Sequence, residues 1–412
     1  MNFGTIAAFH LAQLVAYLLM FSPFIINDKN LFLDRYPINQ VNRSLQAWDA
    51  ADEYLVNYVI DNDLLKDDSK LLIFNDNFGA IALNFCQNSI NQNISSQNKA
   101  YTISDSFISQ LALRHNAEQN SLSLENITQN SSLDDLPNAA DIILYKIPKS
   151  KNLMVEQLCQ IRKILTPNTH FIAADKAKSI QTSTLKLFEK HLGTTKTSLA
   201  VKKARLVFCQ SNPELKNNEG SKLNQTKTWQ LENSNITIKN YANVFAREKL
   251  DIGARLFIQH LPETTNNKKV IDLGCGNGVV GLSLLKNNPK TELVFTDESY
   301  MAVASAKENV QVNFAENVEN CQFMVNDCLT DIEPQSVDII LCNPPFHQQN
   351  ATTDHIAWQM FKDSYRALKK GGELRIVGNR QLGYHIKLQR IFGNEKLIAS
   401  NDKFVILSAI KK

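Results

Sequence analysis

The chain has 412 residues, 43% of them hydrophobic and 21% charged, a balance typical of a soluble globular protein and too long for one ordinary core. A net charge of +3 singles out no partner, so the distribution of charge matters more than its sum. Seven scattered cysteines without a Cys-x-x-Cys pair exclude a disulfide framework or a zinc site and fit reduced thiols in a cytoplasmic protein.

No charged side chain precedes Asp28, and Ile6 to Ile26 is apolar enough to suggest a membrane span or a signal segment. No Lys or Arg stands before it, no small-residue cleavage site is evident, and His10, Gln13 and Pro23 interrupt it. Residues 1–27 are therefore expected to be an extension from a mis-assigned start, with a lipid-facing helix as the alternative. No membrane partner is expected.

Residues 28–212 are expected to form a first domain. Ala100 to Asn120 reads as a strand, an acidic turn at Asp105 and an amphipathic helix ending Arg-His-Asn; Asp141-Ile-Ile-Leu144 and Phe171 to Ala174 read as further strands. From Asp141 to Gln210 there are 13 Lys or Arg against four Asp or Glu. Such a cluster is either a solvated face or a phosphate-binding surface. Residues 213–235 fall in a stretch rich in Asn, Lys, Ser and Thr, expected to be a solvated connection or a surface hairpin.

Residues 236–412 carry the chemistry. At Val270 to Gly281 a strand enters a turn in which Gly274, Gly276 and Gly278 remove the Cβ atoms that would keep a ligand from the backbone. Glycine turns of this kind often serve packing alone. Here Asp272 precedes the turn, and the next strand, Glu292 to Thr296, ends in Asp297, a carboxylate suited to the two hydroxyls of a ribose. Gln322 to Val325 ends in Asn326-Asp327, which suits an adenine amine. Asp338 to His347 then delivers Asn-Pro-Pro-Phe to a strand end. Two prolines stiffen the backbone and cannot donate to a sheet ladder. An amide oxygen, a free carbonyl and an aromatic plate suit a planar ring bearing an amine. Phe404 to Ile410 completes the sheet as an antiparallel strand. Cys275 and Cys342 lie inside the two motifs and read as small packing residues.

The two halves repeat one another. Asp141-Ile-Ile-Leu144 matches Asp338-Ile-Ile-Leu341 letter for letter, and Leu293 to Asn313 follows the strand, acidic turn and helix of Ala100 to Asn120. What differs is the chemistry. Asn75 to Gly79 replaces Gly274 to Gly278, and Lys146-Ile-Pro-Lys149 replaces Asn343-Pro-Pro-Phe346. Asp105 stands opposite Asp297 and is expected to cap the following helix. The first half thus reads as a duplicate that kept its fold and lost its site.

The motif Asp272-Leu-Gly-Cys-Gly-Asn-Gly278, with Asp297, Asp327 and Asn343-Pro-Pro-Phe346, resembles the class I S-adenosylmethionine-dependent methyltransferases. The string running on through His347-Gln-Gln is similar to the ribosomal RNA guanine-N2 methyltransferases, as are Asn243 to Arg247 and Leu250 to Arg255. The resemblance covers the chain from about Leu31 and implies two tandem Rossmann-like α/β domains, each a mainly parallel sheet flanked by helices. It implies methyl transfer from S-adenosyl-L-methionine to the N2 of a guanine in 23S rRNA or a large-subunit precursor, without a metal.

By this resemblance Asp272, Gly274, Cys275, Gly276, Gly278, Asp297, Asp327 and Asn343 bind the cofactor. The Asn343 amide oxygen and the Pro344 carbonyl accept the target amine, with Pro345 stiffening the loop and Phe346 stacking on the base. Lys176, Lys178, Lys202, Lys203 and Arg205 are candidates for holding RNA, with Arg247 and His347 near the cleft. Arg255 either meets phosphate or pairs with Asp251, and Trp358 reads as core. Other readings are 16S rRNA as substrate, a glutamine side chain of a protein, or a non-enzymatic assembly factor built on two inactive copies.

Overall fold

The computed structural model describes residues 23–26, 29–38, 45–88, 98–217, 226–345 and 351–412. They form two compact units, one of Met1–Ser104 with Ile108–Leu223, the other of Asn224–Lys412 with Asp105–Phe107. Most of the 1–27 extension, and with it the question of its start, lies outside the described residues. Its last turn does not stand apart as expected: Phe24–Ile26 pairs antiparallel with Lys29–Leu31, and Phe24 and Ile26 are buried in the first unit's core. No helix among the described residues is long and apolar enough to cross a membrane.

Each unit is built on a seven-stranded sheet. In the first, the strands lie in the order Ile127–Ser131, Lys99–Ser104, Lys70–Phe74, Ile142–Lys146, His170–Lys176, Ala204–Cys209, Thr195–Thr197. In the second, the order is Cys321–Val325, Glu292–Asp297, Lys269–Leu273, Val337–Cys342, Leu368–Asn379, Phe404–Ile410, Lys396–Ser400. The first five strands of each row run parallel, and the sixth is antiparallel to both neighbours. Phe404–Ile410 is thus the expected antiparallel strand, inserted within the sheet instead of at its edge.

Parallel strands are covered on both faces, which is why they read as unbroken apolar runs. Alternate residues then serve opposite layers: Val270 joins one cluster with Phe295 and Leu341, while Ile271 and Leu273 join another with Val294 and Ile340. The Asp that opens each Asp-Ile-Ile-Leu repeat ties strand four to strand one. Asp141 Oδ2 accepts from Lys70 N at 2.8 Å, and Asp338 Oδ2 from Lys269 N at 2.9 Å.

The duplication extends to buried amides. Asn309 accepts from Lys239 N and donates to the carbonyls of Lys239 and Asn277, at 2.7, 2.9 and 3.0 Å. Asn116 accepts from Asp34 N and donates to Asp34 and Phe78 carbonyls, at 2.8, 3.0 and 2.8 Å. One turn on, Asn313 holds both backbone groups of Thr237 and Asn120 both of Phe32. In each unit a helix therefore grips a short extended segment through two asparagines, and the first of them also ties down the turn after strand one.

The segment expected as a solvated connection or a surface hairpin holds a short 3-10 helix, Pro213–Asn217, and the first strand of a hairpin, Lys227–Gln230 with Thr237–Asn240. Asp105, expected to cap the helix that follows it, lies instead at the start of Tyr300–Asn313, and its register also differs from the expected one. Ala100 and Leu293 occupy equivalent places beside Leu71 and Val270, so Ser104, not Asp105, stands where Asp297 stands. The Asp105 carboxylate accepts from Met301 N, Ser299 Oγ and Asn243 Nδ2, at the start of Tyr300–Asn313.

Asn309→Ala should lower the stability of the protein by about 3 kcal/mol, because three buried backbone groups lose their partner at once. Urea unfolding of the variant beside the parent measures it.

Candidate active site

The carboxyl ends of the first four parallel strands of the second unit carry every motif singled out in that half. The backbone after Lys269–Leu273 turns through left-handed conformations at Gly274 (φ +70°), Gly276 (+54°) and Gly278 (+77°). At Gly278 a Cβ would sit 3.0 Å from the Ala306 side chain, so glycine is needed there for packing as well as for φ. At Gly276 nothing lies within 4 Å, which leaves the turn open on that side.

The turn is held from the neighbouring strand. Thr296 O accepts from Gly274 N and Cys275 N at 2.8 and 3.0 Å, and Asp297 Oδ2 accepts from Gly276 N at 2.9 Å. Asp297 Oδ1 also takes the Ser299 N–H at 3.0 Å. A further backbone bond comes from Glu298, so the group is fixed in orientation, with lone-pair capacity left to accept from a ligand hydroxyl. Asp272 Oδ2 accepts from Gly281 N at 2.9 Å inside the helix Val279–Asn287. Burial pushes the Asp272 carboxyl up to about 7, with the nearby Asp297 charge adding to the effect. Burial also raises Asp297 and Asp327 above the ordinary carboxylate range. Three carboxylates short of solvation favour a ligand that brings positive charge and hydrogen-bond donors.

Asn343 follows the fourth strand. A Cβ at Gly274 would lie 3.9 Å from the Asn343 carbonyl oxygen, so the glycine turn and the Asn-Pro-Pro segment are immediate neighbours. Among the described residues, the buried Asn343 Oδ1 atom has no hydrogen-bond partner, nor do Thr296 Oγ1 and Asn326 Nδ2 at the ends of the adjacent strands. Buried polar atoms normally find partners, and three orphans along one strand-end rim indicate a ligand site. Pro344 is buried and Pro345 half-buried; Phe346 and His347 lie outside the described residues. Cys275 and Cys342 are buried free thiols whose pKa values burial drives well up, which fits packing residues.

Asp327, 4% exposed, has a partner that the sequence did not reveal: Gln359 Nε2 donates to its Oδ1 at 2.8 Å. Gln359 lies 32 positions away on the helix Ala351–Ala367, with no local pattern to mark it. Trp358 beside it is half-buried, with the Arg390 guanidinium 5.2 Å over its ring. Arg255 does not pair with Asp251. It forms a two-bond pair with Glu232 at 2.7 and 2.9 Å, while Asp251 caps the helix Ile252–Ile258. Arg247 pairs with Glu248 at 2.8 Å, and its carbonyl accepts from Trp229 Nε1.

The first unit has the same rim, filled from within. Asn75 takes the place of Gly274 at φ +60°, a conformation asparagine tolerates. Its amide forms a reciprocal pair with Gln157, at 2.9 and 3.0 Å, and Tyr145 Oη donates to the same Gln157. Lys146, in the place of Asn343, sends its Nζ to Asp49 Oδ1 and Asp52 Oδ1, each at 2.8 Å. Asp76, from within the turn, accepts from Ile81 N and Ala82 N, supplying internally the charge that Asp272 supplies in the second unit. By strand register Ile73 and Ser104 stand at the positions of Asp272 and Asp297.

Four of the candidate RNA-holding residues come together in the first unit. Lys176 ends its strand beside Ala204, Ala177 N donates to Lys203 O at 2.7 Å, and Lys178 follows in the turn Ala177–Ser179. Lys202 and Lys203 form the opposing turn. Lys176, Lys178, Lys202 and Lys203 are exposed, though Lys202 pairs with Glu53. Arg205 is set back, half-buried in the strand opposite Asp175. Among the described residues no group of His, Cys, Asp or Glu is arranged to hold a metal ion.

Residues 22–213 match the family described as RLMG N-terminal domain, and residues 235–408 that described as methyltransferase small domain. A protein of Colwellia psychrerythraea named ribosomal RNA large subunit methyltransferase G is 61% identical over 397 residues, 95% of this chain and 100% of its own. The protein of that name from Klebsiella pneumoniae subsp. pneumoniae is 50% identical over 387 residues, 94% of this chain and 97% of its own. A solved T. thermophilus 16S rRNA N2 G1207 methyltransferase, in complex with AdoMet and guanosine, has a TM-score of 0.71 at 18% identity, covering 95% of this chain and 98% of its own, which is a likeness of fold. With relatives this similar along nearly their whole length, the chain belongs to the ribosomal RNA large subunit methyltransferase G family.

Proposed function

We propose that this protein transfers a methyl group from S-adenosyl-L-methionine to the exocyclic N2 of a guanine in 23S rRNA. The observation that carries the reading is the buried, unpartnered Asn343 Oδ1 beside an open glycine turn. Relatives named for the large ribosomal subunit support 23S rRNA over 16S rRNA or a protein glutamine.

The rim fits the cofactor. Asp297 would accept the ribose hydroxyls, Asp327 the adenine amine, and the turn from Gly274 to Gly278, with Asp272 behind it, would cradle the remainder. When bound, S-adenosylmethionine supplies a methyl group already activated on a sulfonium.

What the protein must correct is the acceptor. The lone pair of a guanine N2 amine is delocalised into the ring, so the nitrogen is nearly planar and a poor nucleophile. Hydrogen bonds from its two N–H groups to the Asn343 amide oxygen and the Pro344 carbonyl favour the pyramidal form, freeing the lone pair. Asn343 can do this because its oxygen is fixed by burial and committed to nothing else. Phe346 would hold the ring by stacking, worth about 1–3 kcal/mol at comparable sites. In-line transfer depends on positioning more than on acid–base help, and the proton can leave to water once the methylated amine is acidic. His347 then serves as an RNA contact instead of a base. The target base must be out of its stack, so the RNA segment is single-stranded, looped or flipped.

The first unit would hold the RNA through Lys176, Lys178, Lys202 and Lys203, with its own rim closed by Lys146 and the Asn75–Gln157 pair.

Asn343→Ala should lower kcat by about a hundredfold, read by single-turnover kinetics on 23S rRNA at saturating cofactor. Normal turnover would remove the acceptor role. Charge reversal at Lys176 and Lys203 together should raise KM for RNA and flatten its salt dependence, with cofactor binding unaltered. Unchanged KM would leave these lysines as a solvated face.

A further inference from the structure

The helix Ala351–Ala367 follows directly on the Asn-Pro-Pro-Phe loop, yet its polar side chains are spent on a different segment. Gln359 Nε2 donates to Asp327 Oδ1 at 2.8 Å. One turn on, Asp363 Oδ2 accepts from Leu329 N at 3.4 Å. Arg366 then donates to the carbonyls of Ile332, Leu329 and Thr330. Three residues along one helix thus fasten the loop after the third strand, from Asp327 to Ile332. On the same helix the Met360 methyl would lie 3.2 Å from a Cβ at Gly274.

Asp363 and Arg366 hold backbone, which shapes the loop. Gln359 is the one of the three that holds a carboxylate, that of Asp327, to which the Cys328 thiol is also hydrogen-bonded. A carboxylate on a short stem rotates, and an adenine amine is accepted well only if one oxygen points at it. A donor fixed to Oδ1 restrains that rotation and so sets the direction of the remaining lone pairs. We infer that Gln359 is the residue that positions Asp327 to select a 6-amino purine cofactor, so that the helix leaving the acceptor loop also sets cofactor specificity. The inference rests on the reading of Asp327 as the adenine-amine acceptor.

The test uses the full chain and two probes, S-adenosyl-L-homocysteine and its inosine counterpart, in which the 6-amino group is replaced by oxygen. Gln359→Met keeps the side chain's length and removes the donor. Its dissociation constant for S-adenosyl-L-homocysteine should rise about tenfold, as for a lost hydrogen bond to a charged group, while that for the inosine probe stays within about twofold. Gln359→Glu, which sets a second carboxylate against Asp327, should weaken the adenosine probe at least as much. Equal weakening of both probes, or no change in either, would overturn the inference and leave Gln359 as packing. Asp327→Ala, measured alongside, separates the two readings. If it leaves the adenosine probe's affinity intact, the assignment of Asp327 itself fails; if it weakens that probe while Gln359→Met does not, only the role of Gln359 fails.

Discussion

Everything chemical in the second unit depends on a turn that takes the chain through three left-handed residues, Gly274, Gly276 and Gly278, and leaves open space at Gly276. Such a turn has little intrinsic reason to hold its shape. It does so because the adjacent strand end supplies acceptors to three of its amides, two on the Thr296 carbonyl and one on Asp297. Asp297 therefore has a structural duty as well as its proposed ligand. Asn277 adds to the restraint, since its side chain donates to Asn240 and its carbonyl is held by Asn309. The rim is rigid on the protein side and unsatisfied on the other, the condition under which a bound molecule gains most from each hydrogen bond.

The first unit shows how the same backbone behaves when the space is filled. Its strand order, its Asp-to-strand tie and its asparagine grip are all retained. These features hold the sheet and the helix in register and do not depend on a ligand. The residues that changed are those facing the rim. Selection for stability thus acts on one set of positions and selection for chemistry on another, and the two sets hardly overlap along the strands. The fold outlasted the site because the site contributed little to it.

Much of this could be read in the sequence where cause and effect lie close along the chain. The repeated Asp-Ile-Ile-Leu marks an apolar strand with a polar tie at its start, and both copies form the fourth strand. The match of Ala100 to Asn120 with Leu293 to Asn313 placed Asn116 and Asn309 in step, though not what they grip. Side chains paired at long range were not legible. Arg255 finds Glu232 across 23 positions instead of Asp251 nearby, because Asp251 is already committed to its own helix. Gln359 finds Asp327 through a loop docked on a helix, a geometry with no periodic signature. Asp105 was misplaced by one position because a strand end is defined by register, which only the neighbouring strand reveals.

Lys146 makes the loss in the first unit hard to reverse. Its ammonium, between Asp49 and Asp52, is the counterion that makes burial of the Asp52 carboxyl bearable, and even so burial lifts that carboxyl to about 6. Changing Lys146 alone to asparagine would strand the buried Asp52 carboxyl beside Asp49, at a cost of about 3–5 kcal/mol. Removing either acid first would strand the lysine. A lineage carrying this triad can regain a cofactor pocket only by several simultaneous changes, each harmful when made singly. If the two units descend from one copy, such a triad would act as a ratchet, since stability alone would keep the spare pocket sealed.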